Sequence, residues 1–90
     1  MKIGDLVNII NVGETYNNYE SWIKEYSPEY LEEWRKGQDP THNRIYKIVA
    51  IGQHLFWQSE GTLYLVQECS GKSVYIIGEK GIKLYNKGDK

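Results

Sequence analysis

The second half of the chain runs through IYKIVAIG (45–52), TLYLVQEC (62–69), KSVYIIG (72–78) and IKLY (82–85), with little sequence between one run and the next. Each run is rich in Val, Ile, Leu or Tyr, the residues that fit a pleated, half-buried surface. Ser70-Gly71 separates the second from the third, and GEKG (78–81) the third from the fourth. Links of that length cannot hold the crossover of a dozen or more residues that parallel neighbours require. The runs are therefore expected to be antiparallel strands joined as a meander, with GQHLFWQSEG (52–61) the one longer link.

The start of the chain adds a strand. MKIGDLVNII is punctuated by Gly4-Asp5, and Val7 and Ile9 alternate with Leu6, Asn8 and Ile10. Apolar residues in both registers predict a strand covered on both faces for part of its length. The period then changes. Tyr19, Trp22, Ile23, Tyr26, Tyr30 and Trp34 recur every three or four residues, the spacing of one helical face. Asn17 or Asn18 is placed to cap a first helix, over about 17–26. Ser27-Pro28 divides the segment: a proline suits a first helical turn after a serine cap, not a helix interior. A second helix is expected over 28–36, with Arg35 and Lys36 in its last turn and Gly37 beyond it. Helices this short need to dock their aromatic face on something. QDPTHN (38–43) reads as a turn-rich connection, and the tail 86–90 as frayed.

With 90 residues the chain has enough surface to bury for one core, roughly 60–65% of it, and too little for two. The expectation is a single mainly β domain over 1–90, a five-stranded SH3-like barrel with two short helices (about 17–36) inserted between strands 1 and 2. The order of long, medium and tight links favours that arrangement. A five-stranded oligonucleotide-binding barrel usually carries its helix between strands 3 and 4 instead.

Composition excludes more than it selects. Eleven Lys and Arg against twelve Asp and Glu give a net charge of −1, no footprint for nucleic acid. A local basic bias, Arg44 and Lys47 with His42 and His54, falls between Asp39 and Glu60 and reads first as a solvated face. One cysteine, Cys69, rules out an internal disulfide and is expected to be a small core residue. No run nears the ~18 apolar residues of a membrane span, and no signal peptide is expected because Gly4, Asp5 and Asn8 interrupt the first residues. The expected location is the cytoplasm. The histidines lack metal-site spacing, no nucleophile, P-loop or dinucleotide motif occurs, and Glu32-Glu33 reads as a solvated pair. The reading is non-enzymatic, with no cofactor.

KIGDLVNIIN, GETYNNYESW, YKIVAIGQH and YIIGEKGIKL together resemble a group of small, functionally uncharacterised phage and prophage proteins of low-GC Gram-positive bacteria. The similarity runs along nearly the whole chain, through K-x-G-D-x-V-x-I and G-x-T-Y-x-x-Y-x-x-W segments. It implies an intracellular accessory or host-interaction protein and carries over no catalytic residue.

Both long links hold aromatic residues, and small barrels bind partners between such loops. Tyr16, Tyr19 and Trp22 on the insert, with Phe56 and Trp57 on the 52–61 link, are the candidate groove; Arg44 is the candidate phosphate contact. Packing is the competing explanation for Trp22, Ile23, Tyr26, Tyr30, Leu31 and Trp34. A protein partner suits a neutral, aromatic surface best. The alternative is a nucleotide stacked on the rings, held or sequestered, with Arg44 or Lys47 on its phosphate. Single-stranded nucleic acid ranks last, for want of a basic track. An exposed sheet edge or aromatic face leaves a homodimer open.

Overall fold

The computed structural model describes residues 1–16, 19–36, 44–53 and 61–85. Six strands form one open antiparallel sheet: β1 (Leu6–Ile9), β2 (Thr15–Tyr16), β3 (Ile45–Gln53), β4 (Thr62–Glu68), β5 (Val74–Gly78) and β6 (Ile82–Leu84). Their order is β2-β5-β4-β3-β1-β6, so β2 and β6 are the edges. Helices α1 (Glu20–Tyr26) and α2 (Leu31–Arg35), the latter entered through a 3-10 turn at Pro28–Tyr30, lie between β2 and β3 in the chain. No helix among the described residues is long and apolar enough to cross a membrane.

The strand count corrects the expected five. The sixth is Thr15–Tyr16, which pairs with β5 (Thr15 opposite Ile77, Tyr16 opposite Ile76). Two residues carry no periodicity, and this pair becomes a strand only because β5 offers it a free edge.

The same strand shows how far the sheet curls. At ~4.8 Å per interval, four intervals of a flat sheet would put β2 about 19 Å from β1. From Ile9 to Thr15 is six steps, about 20 Å at full extension, and Val12–Glu14 is wound into a 3-10 turn that rises only ~2 Å per residue. The sheet must bend to bring its ends together. Accordingly the Glu14 side chain, just before β2, lies against Gly81, just before β6.

The bend divides the core in two. Val7, Ile9, Tyr46, Ile48, Tyr64, Val66, Tyr75, Ile77 and Ile82 fill the concave side. There the Tyr46 and Tyr75 rings meet edge to face, 5.8 Å apart, and burial, with Glu79 nearby, raises the Tyr64 hydroxyl pKa. Ala50, Leu63, Leu65, Val74 and Ile76 face the convex side, beneath Trp22 and Ile23. Strands buried on both faces explain why LYLV (63–66) and VYII (74–77) are apolar at every position. In β3 the parity switches: Ile48 pairs with Val66 but Ala50 with Leu65, leaving Val49 as a bulge. Past that extra residue the inward positions change from 46 and 48 to 51.

Three further expectations are corrected. The first strand is buried on one face only, with Val7 and Ile9 inside and Leu6 and Ile10 at the surface, because the helices cover β3–β5 and not β1. Ser27 does not cap the second helix through its side chain: the buried hydroxyl donates to Glu29 Oε1 at 2.8 Å. Cys69 is exposed. β4 ends at Glu68, and Cys69 falls in the turn closed by Gly71 N to Glu68 O and Glu68 N to Ser73 O. Of the predicted helical insert, α1 begins at Glu20; Asn17, Asn18, the 38–43 connection and the 86–90 tail lie outside the described residues.

Candidate functional site

The aromatic segment after β2 divides between core and surface. Tyr16 ends the edge strand and Tyr19 sits immediately before α1, both half-buried. Their rings stack at 5.2 Å and 23°, a geometry that orders two large side chains at one corner of the sheet. Both pack on the convex core. Trp22, one turn on, has no exposed surface. It therefore leaves the candidate groove as a contact residue and becomes the anchor of α1, its indole Nε1 donating to Gln53 O at 3.1 Å.

That bond fixes α1 to the root of the link that carries Phe56 and Trp57. Those two candidates lie outside the described residues, as do His42 and His54. Tyr26 reinforces the attachment. Its ring, 5.0 Å from that of Trp22, covers Gly52 so closely that a Cβ there would come within 2.6 Å of Tyr26 Cδ2. Tyr26 is nevertheless 39% exposed. The helical period assigned it to the packed face, and the signal that it also offers surface was Gly52, a glycine inside a strand where another group approaches closely.

A charged group borders this corner. Arg35 Nε of α2 donates to Glu20 Oε1 at 2.8 Å, and Lys24 Nζ lies 3.4 Å from Glu20 Oε2. The Arg35 hydrogen bond is the main cause holding the Glu20 carboxyl at about 2, below its ordinary 4.5. Because the folded pKa is the lowered one, the link between the helices is complete above pH 4.5 and is lost as pH falls towards 2. A carboxylate-detected NMR titration is expected to find Glu20 half-protonated near pH 2. In Arg35→Ala the midpoint should move back towards 4.5; an unchanged midpoint would show that the arginine is not the cause.

Arg44 is held elsewhere. Its Nη1 donates to Ser70 Oγ at 3.2 Å and lies 3.4 Å from Glu68 Oε1. Register fixes the separation from the tyrosines: Tyr16 is level with Ile76, Ile76 with Leu65, and Leu65 with Ala50. Arg44 is six residues before Ala50, roughly 16 Å along the strand allowing for the bulge, and three strands across. The structure does not bring it to the stacked rings, so it cannot hold the phosphate of a nucleotide stacked there. Lys47, exposed on the same half of β3, is little closer.

Comparison with protein-family models, with curated proteins and with solved structures finds no match. Function must then be read from the geometry. Among the described residues no group of three or more His, Cys, Asp or Glu side chains is arranged to hold a metal ion. What the corner does offer is stacked amphipathic rings on a terminal strand of the described sheet.

Proposed function

We propose that this chain is a non-enzymatic protein-binding module of SH3-like barrel type, working in the bacterial cytoplasm as a phage-type accessory protein. Its partner, a host protein in this reading, docks on the surface formed by Tyr16, Tyr19 and Tyr26 and the adjoining Phe56/Trp57 link. The observation that carries the reading is the stacked Tyr16–Tyr19 pair beside β2, the terminal strand of the described sheet. Tyrosines held in one place lose little conformational entropy on binding, and such rings concentrate binding energy at interfaces. The strand order and the 3-10 turn before β6 support the SH3-like reading. The resemblance to small phage and prophage proteins supports the accessory role, and the near-neutral charge favours a protein partner over nucleic acid.

The test is recovery of a partner from lysate of a low-GC Gram-positive bacterium, using the chain and its Tyr19→Ala and Trp57→Ala variants. Each variant is expected to keep its fold, checked by circular dichroism, and to lose at least tenfold in recovery, since a central aromatic at an interface is worth roughly 2 kcal/mol or more. Equal recovery by both folded variants would remove the groove. With Arg44 distant from the rings, a melting screen against mono-, di- and cyclic nucleotides is expected to be flat. A rise with one of them would reinstate a nucleotide ligand, because a ligand that binds only the native state raises the melting temperature.

A further inference from the structure

The helical insert covers only half of the convex face. Beneath it lie Ala50, Leu63, Leu65, Val74 and Ile76, which leaves the outward positions of β6, β1 and the first half of β3. The register places them in two rows. Lys83 is opposite Asn8, and Asn8 opposite Ile45; Tyr85 N donates to Leu6 O, and Leu6 is opposite Lys47. The lysines are exposed and Leu6 is 40% exposed. No carboxylate occupies either row.

The ion pairs among the described residues engage Lys24, Arg35, Lys36 and Arg44, on the insert and at the far hairpin, whereas Lys47 and Lys83, like Lys2, Lys72 and Lys80, have no ion-pair partner there; what distinguishes Lys47 and Lys83 is that the register puts them on one face. The insert on the other half of the convex face is acidic in balance, with Glu20, Glu25, Glu29, Glu32 and Glu33 against Lys24, Arg35 and Lys36. This face thus holds two cations without an ion pair among the described residues, on either side of an exposed leucine.

We propose that this face docks an extended acidic segment of another protein, on a surface separate from the tyrosine corner. Lys47 and Lys83 are two strand intervals and two residues apart, roughly 12 Å between Cα atoms. Carboxylates four residues apart on one side of an extended strand are about 13 Å apart. The residue midway between them points the same way and falls over β1 between Leu6 and Asn8, with Ile45 one strand to the side. A segment with acidic residues at i and i+4 and an apolar one at i+2 matches the two cations and the exposed Leu6 together. Single-stranded nucleic acid matches less well, since it needs a succession of stacking rings and this face offers Tyr85 alone.

The probe is a capped Ser-Glu-Thr-Val-Thr-Glu-Ser peptide, titrated at low salt into the isotopically labelled chain and followed by amide NMR. Shifts are expected at 6–8, 45–47 and 83–85. Binding should be about fivefold weaker or worse in the Lys47→Gln/Lys83→Gln variant, the scale of losing two exposed ion pairs, and unchanged in Lys24→Gln. Tyr19→Ala should bind as the original chain does, which separates failure here from failure at the tyrosine corner. Absence of shifts, or equal binding by the double variant, overturns the proposal. So does tighter binding of an oligothymidylate through the same lysines. So does lysine-dependent self-association seen by sedimentation without peptide binding, which would make the occupant a second copy.

Discussion

Trp22→Ala is expected to lower stability by about 3–5 kcal/mol, the cost of emptying a fully buried aromatic site. A chain of 90 residues has a total of order 5–13 kcal/mol, so the variant should be close to unfolding. The size of the effect follows from position. Trp22 is without exposed surface among Ala50, Leu63, Leu65, Val74 and Ile76, and α1 and α2 are too short to persist unless docked. Losing the indole removes the contact that holds α1 on the sheet and the bond from Nε1 to Gln53 O. Urea unfolding followed by circular dichroism checks this. Trp22→Phe, which keeps a ring but not the bond, should fall between the two. A shift under about 1 kcal/mol in Trp22→Ala, the scale of a surface change, would mean that the insert is not docked as described.

Gly81→Ala is the second large effect, at about 1–3 kcal/mol, the usual cost of overpacking. A Cβ at Gly81 would lie 2.6 Å from Glu14 Cβ and 2.8 Å from Ile77 Cγ1. Neither atom can give way cheaply. Ile77 is fully buried, and Glu14 Cβ is fixed to a backbone that the bonds from Ile10 N and Asn11 N to Gly81 O hold in place. The substitution therefore acts on the contact that keeps the curled sheet together. Gly52→Ala is a built-in comparison. Its Cβ also meets an atom at 2.6 Å, but that atom belongs to the ring of Tyr26, which is 39% exposed and can swing outward. Gly52→Ala should cost less than Gly81→Ala; the reverse order would show that the curl does not rest on Gly81.

These two positions also mark how much could be read from residues alone. The four C-terminal strands were legible because LYLV (63–66) and VYII (74–77) are apolar at every position, and because Ser70-Gly71 and GEKG leave no room for a crossover. The helical stripe was legible from its period, and Trp22 and Ile23 do dock as a lid. β2 was not legible: Thr15–Tyr16 is a strand by virtue of a partner sixty residues away. Nor was the bulge at Val49, since IYKIVAIG reads as an uninterrupted apolar run whether or not a residue is skipped.

The candidate site divides in the same way. Tyr16 was singled out from ahead of the helical stripe and Tyr19 from its start, and their stacking is a tertiary fact that spacing does not contain. Arg44 was grouped with them through local charge, whereas register carries it to the opposite end of β3, where Glu68 and Ser70 engage it. Trp22 was placed on both lists, core and groove, and zero exposure assigns it to the core. Distance along a strand decides between such readings, and a single sequence does not supply it.

The reading of the tyrosine corner as the docking surface is tested most directly by amide hydrogen exchange on the chain alone and saturated with its recovered partner. Added protection is expected over residues 15–23 and the 54–60 link, with β1 and β6 unchanged by that partner. Protection confined to β1 and β6, with none at Tyr16 and Tyr19, would contradict it.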